Sequence, residues 1–278
     1  MNDQAAALRA MVAATSAVVP APAEPPRVPA WVLGSGKGGV GKSVLSILLA
    51  SALARSGRRT LLVDGAQNLG NLHIMLGLRP AAKLSDLHAG IVRPEALLTA
   101  VTRNLWLLPA ESGAEAIHGL TVTDRARLYH RLTTLYDRYD HVIVDAGGGI
   151  EEVVRAVAIA ATRLLVLAVP EPAALSDAYA LTKIVTLQVP SVPVDVVVNR
   201  VSDSEEALGV HERLRLAASR FLKRDVGFAG AVEEDASMRA ALQDPSTLLR
   251  HEPPGLTDLL ARLEQSTTRG HHHAAAHR

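Results

Sequence analysis

Residues 31–43 read WVLGSGKGGVGKS, and their reading decides the fold. An apolar run enters a glycine-rich turn, and an apolar-periodic stretch, 44–54 (VLSILLASALA), follows at once. Gly36-x-x-x-x-Gly41-Lys42-Ser43 therefore has the strand–loop–helix setting that a phosphate loop requires. Glycines let successive backbone N–H groups point inward as an anion nest, and the following helix adds its positive N-terminal dipole. On this reading Gly36, Lys37, Gly38, Gly39, Val40, Gly41, Lys42 and Ser43 form the cofactor-binding loop. Lys42 would reach the outer phosphates of ATP, and the Ser43 hydroxyl would bind Mg²⁺. Gly34-x-Gly36-x-x-Gly39 also matches a dinucleotide fingerprint, but that pattern does not call for Lys-Ser at the helix start. A structural glycine turn is the remaining alternative.

Outward from the loop, short apolar runs recur at 60–63, 105–108, 141–144, 164–169, 194–198 and 226–229. Stretches long enough for helices lie among them at 42–55, 122–138, 150–161, 172–188 and 203–222. Continuous apolar strands alternating with helices predict an α/β fold, a mostly parallel sheet flanked by helices on both faces. Ligands of such sheets sit at the carboxyl ends of the strands. The run at 141–144 delivers Asp145 there, followed by three glycines, which suits a carboxylate that holds Mg²⁺ beside a backbone that must move. An N-capping Asp in a strand-end turn is the plain alternative. Asn199 ends the strand at 196–201 (VVVNRV), where a turn Asn would also fit.

The bulk numbers bound the rest. The chain has 278 residues, 48% hydrophobic, with a formal net charge of +1, enough for one well-buried core and without a global field toward nucleic acid or membrane. There are no cysteines, which excludes disulfides, thiolate catalysis and Cys-ligated metals. No apolar run is long enough for a membrane span, and no secretory pattern opens the chain, so the expectation is a soluble cytoplasmic protein. Residues 12–30 are rich in Pro and Ala and read as a stiff extended linker that sets off residues 1–11. The ATP-binding domain is expected over 31–265, with a disordered tail over 266–278.

The second lysine, Lys37, is not needed by a general phosphate loop. GKGGVGKS resembles the deviant Walker A motif of the MinD/ParA family, which is of the SIMIBI type. The resemblance implies that Lys37 crosses a dimer interface to the partner's phosphates, so that a homodimer sandwiches two ATPs; a solvated loop lysine is the alternative. It implies that Asn199 reads the adenine edge. It also implies catalytic roles for Lys37, Lys42 and Asp64. Residues 63–79 and 169–183 further resemble the FlhG/FleN branch, regulators of flagellar number and placement. Residues 3–9 (DQAAALR) match that branch's DQAxxLR pattern, which implies that Asp3, Gln4, Leu8 and Arg9 engage an FlhF-like GTPase. From the residues themselves, Ala5, Leu8, Met11 and Val12 fall on one helical stripe, a plausible helix-in-groove ligand too short to be stable alone. A frayed terminus is the alternative.

One position departs from the family. Two aspartates two residues apart follow the second strand in these proteins, and the second activates the attacking water. Here Asp64 is kept and the second is Ala66, followed by Gln67 and Asn68. Weak or absent hydrolysis is the expectation, with Asp64 or Gln67 as substitutes, or a shifted loop of ordinary activity, as the alternatives. The branch implies contact with flagellar basal-body or transcription-regulator proteins, peripheral at the inner membrane or cell pole. The stripe Leu256, Leu259, Leu260 and Leu263 is the candidate membrane helix, with core packing favoured over a lipid anchor. A DNA-partitioning role would use Arg213, Arg220 and Arg224 on one helix face, but Glu205, Glu206 and Glu212 dilute their charge, so a solvated face is favoured.

Overall fold

The computed structural model describes residues 26–65, 70–110 and 120–275. The expected partner helix with Asp3, Gln4, Leu8 and Arg9, and the 66–69 loop with Ala66, lie outside the described residues. Eight strands form one sheet: β1 Ala30–Gly34, β2 Thr60–Asp64, β3 Thr99–Thr102, β4 Leu105–Leu108, β5 His141–Asp145, β6 Arg163–Ala168, β7 Val194–Val201 and β8 Gly227–Glu233. Their order is β3-β4-β2-β5-β1-β6-β7-β8. Every pairing is parallel except β3 with β4, so the expected mostly parallel sheet is what forms.

The strands β1, β2 and β5 are buried along their whole length because helices cover both faces. On one face lies α1 (Lys42–Arg55), with buried residues on every side of it. A helix apolar all round needs cover on both sides. One side meets the sheet; the last helix, α10 (Leu256–Ala275), packs against the other and against β8. The short helices α2 (Leu72–Met75), α3 (Leu84–His88), α8 (Met238–Ala241) and α9 (Pro245–Leu248) fill connections. On the opposite face lie α4 (Val122–Thr133), α5 (Ile150–Ala160), α6 (Pro172–Gln188) and α7 (Ser204–Leu222).

The structure revises several expectations. The edge strand β3 was not expected, because TAVT is a short, half-exposed run without apolar continuity. The helix expected over 122–138 ends at Thr133, and a separate 3-10 turn follows at Tyr136–Arg138. Helix α10 runs from Leu256 to Ala275. Its stripe is core: Leu256, Leu259 and Leu263 are at most 1% exposed. Gly230 permits this approach, since a Cβ there would lie 3.2 Å from the Leu259 Cα. Leu259→Ala is expected to lower stability by about 2–5 kcal/mol, read as a lower urea midpoint at unchanged m. The arginine row is broken: Arg224 donates to the backbone oxygens of Pro190 and Val192, beyond the left-handed Lys223 that ends α7.

Candidate functional site

The carboxyl edge of the sheet gathers the phosphate loop after β1, Asp64 at the end of β2, Asp145 at the end of β5, Glu171 after β6 and Asn199 near the end of β7. β1 pairs with β5 on one side and β6 on the other, and the crevice opens above that point. Gly41 caps α1 with φ +97°, a left-handed conformation that favours glycine. A Cβ there would also lie 2.5 Å from Asn199 Nδ2. That amide nitrogen donates to the Val40 oxygen at 2.8 Å, so Asn199 braces the loop from β7. One of its two N–H donors is thereby committed, which leaves the other donor and the carbonyl oxygen for a base edge.

Gly36 seats the other flank. A Cβ on it would meet the Asp177 backbone oxygen at 2.2 Å, inside α6. Gly36→Ala must therefore push the loop off α6. Nucleotide affinity is expected to fall more than about tenfold, with about 1–3 kcal/mol of stability lost, measured by fluorescent-nucleotide titration and denaturant melts. Lys37 does not turn toward its own loop: its Nζ donates to Glu171 Oε2 at 2.9 Å, with the lysine side chain 42% exposed. The lysine's hydrogen bond and charge hold the Glu171 carboxyl below its ordinary range.

β2 and β5 run side by side in register, which sets Asp64 opposite Asp145. Gly65 N–H donates to the Asp145 backbone oxygen at 2.8 Å, and Leu72 N–H donates to Asp64 Oδ2 at 3.1 Å. Asp145 thus holds Gly65, and Asp64 holds Leu72. Asp145 is 4% exposed, and burial pushes its carboxyl up, opposed by a hydrogen bond with Ser43 and the charge of Lys42. Its Oδ1 is buried with no hydrogen-bond partner among the described residues. An orphaned carboxylate oxygen beside a serine hydroxyl fits Mg²⁺, which uses few protein ligands and completes its shell with phosphate and water.

Beyond Asn199 a cavity of about 710 Å³ extends from Gly41 and Val44 to the segment after β8. Glu233, Glu234, Asp235 and Met238 line it, none of which the sequence reading singled out. The strand expected over 226–229 continues to Glu233, so the acidic run there is a strand-end signal that was available. Its size suits a nucleoside next to the phosphate loop.

These features define a P-loop nucleotide-binding protein whose loop, carboxylates and base cavity share one sheet edge. Residues 31–244 match the family model of the CobQ/CobB/MinD/ParA nucleotide binding domain, and the chain belongs to that family. The antiactivator FleN of Pseudomonas aeruginosa is 32% identical over 208 residues, 75% of this chain and 74% of FleN. The flagellum site-determining protein YlxH of Helicobacter pylori is 25% identical over 80% of this chain and 75% of its own. The septum site-determining protein MinD of Pyrococcus horikoshii, solved with Mg-ADP, has the same fold, with a TM-score of 0.66 at 23% identity over 86% of this chain and 96% of that one.

Proposed function

We propose that the chain is an ATP-dependent, dimerising regulator of flagellar number and placement that binds Mg-ATP and stimulates an FlhF-like GTPase through residues 1–11. The observation that carries the dimer reading is Lys37. The loop supplies a second, half-exposed lysine whose hydrogen bond goes to an exposed glutamate rather than to its own phosphate nest. ATP in this site would rest on the loop N–H groups and Lys42. The Ser43 hydroxyl and Asp145 would hold Mg²⁺, which neutralises phosphate charge when bound. Lys37 would leave Glu171 for a partner's phosphates.

The flagellar reading rests on the likeness to FleN and YlxH. It would place the protein in the cytoplasm, peripheral at the inner membrane or pole, among basal-body or transcription-regulator partners. Membrane contact would be weak, because the leucine stripe of α10 is spent on the core. Ala66 favours a slow ATPase or a non-hydrolysing ATP-bound scaffold over a rapidly cycling enzyme.

The test is light scattering with ADP and with a non-hydrolysable ATP analogue. Wild type should be a monomer with ADP and a dimer with the analogue. Lys37→Ala should bind the analogue within a few-fold of wild type yet remain monomeric. Wild type that stays monomeric at saturating analogue would overturn the dimer reading. Deletion of residues 1–11 should abolish GTPase stimulation while leaving the dimer intact.

A further inference from the structure

The cavity beside Asn199 has two walls. One is the first half of α1, through Val44, Leu45 and Leu48; the other is the rim that runs from Val232 through Asp235 to Met238. Several bonds hold that rim. Glu234 N–H donates to the Val201 oxygen at the end of β7 at 2.9 Å, and Glu233 N–H donates to the Pro254 oxygen at 3.1 Å. Asp235 Oδ2 lies 2.7 Å from His251 Nε2. Pro254 and His251 both belong to the connection between α9 and α10. The same connection reaches the first wall: Arg55, the last residue of α1, donates to the Leu249 oxygen and, at 2.7 Å, to Glu252 Oε1. One short segment is thus fastened to both walls of the cavity.

The contact of His251 with Asp235 is the fastening made by side chains alone. A carboxylate only accepts, so the imidazole Nε2–H is the donor. The two side chains are 14% and 17% exposed, so water does not readily replace that donor. The other oxygen, Oδ1, accepts from Ser237 N–H at 2.8 Å and from its hydroxyl at 2.6 Å. The bonds from Ser237, with His251 adding to them, hold the Asp235 carboxyl below its ordinary range. With both oxygens engaged, Asp235 sets the course of the rim backbone.

We propose that His251 is a positioning residue for the nucleotide base: by fixing Asp235 it fixes the rim that the base meets, while the phosphates rest on the 36–43 loop. This inference rests on the reading of the site as an ATP site. A side chain that only stabilised the fold would affect every ligand of the site alike. One that preorganises the base wall acts on ligands that carry a base.

The experiment is calorimetric titration of the full chain, in Mg²⁺, with ATP and with inorganic tripolyphosphate. Wild type should bind ATP at least about tenfold more tightly, because only ATP enters the base cavity. His251→Leu should lose at least about fivefold in ATP affinity, the worth of one hydrogen bond to a charged group, and stay within about twofold for tripolyphosphate. His251→Gln, whose amide can donate to Asp235, should recover ATP affinity to within about twofold of wild type. In wild type carrying nitrogen-labelled histidine, the His251 ring signals, assigned by their loss in His251→Gln, should shift with ATP and not with tripolyphosphate. That readout decides if His251→Leu does not fold. Wild type that prefers ATP while His251→Leu binds it equally well overturns the inference alone. So does a His251→Leu variant that loses ATP and tripolyphosphate affinity in equal measure, or a His251 signal that both ligands shift alike. Wild type that binds ATP no better than tripolyphosphate would overturn the base cavity, and the role of His251 with it.

Discussion

Ala66→Asp is expected to raise steady-state ATP turnover by about 10²–10⁴-fold, the usual worth of a positioned acid–base group. The expectation depends on where residue 66 starts. Gly65 is tied to the Asp145 backbone, and the carboxylate of Asp64 holds Leu72 beyond the loop's end. Residue 66 follows directly in sequence after Gly65, so its side chain is one residue from the edge that carries Asp64 and Asp145. A carboxylate there can take the proton of an attacking water, whereas a methyl group cannot. Phosphate release from wild type and variant, with ATP-dependent dimer content followed alongside, gives the answer. Wild-type turnover that Ala66→Asp does not increase would show that another residue, such as Gln67, already positions the water.

Asp145→Asn is expected to weaken Mg²⁺-dependent nucleotide binding by about 10–100-fold, the effect typical of a group that holds a metal through its water shell. The same change should raise stability in EDTA at neutral pH. The sign follows from burial, which lifts the Asp145 carboxyl above its ordinary 3.8 in the folded state. The native protein then holds this proton more tightly than the unfolded chain does. Metal-free stability is greatest below the unfolded value and falls as pH rises through the folded one. Asp145→Asn removes that slope, so thermal melts in EDTA should flatten from pH 4 upward in the variant. With Mg²⁺ and nucleotide the order should reverse, wild type melting higher, because the cation supplies the partner that Oδ1 lacks. A variant that binds Mg-nucleotide as well as wild type would remove Asp145 from the metal site.

The sequence by itself determined the parts that depend on local pattern. A phosphate loop is a contiguous run whose glycines and lysines act through their own backbone, so WVLGSGKGGVGKS sufficed to place it. The buried parallel strands were equally legible, because cover on both faces demands unbroken apolar runs. The helices at 42–55 and 172–188 begin and end as their patterns predict. The remaining features depend on residues far apart in the chain. Asn199 is 159 positions from the Val40 oxygen it braces, and no local pattern assigns one of its amide donors to the phosphate loop. Lys37 and Glu171, 134 apart, meet only because β1 and β6 are neighbours. The leucine stripe of α10 reads the same whether it faces lipid or protein; α1 and β8 claim it as core. Arg155 is an ordinary helix cation in sequence, and only the packing of α5 over α4 leaves its Nε buried without a hydrogen-bond partner among the described residues. Periodicity and motif report what a segment can do; which neighbours it meets is fixed by strand order, and that is a property of the whole sheet.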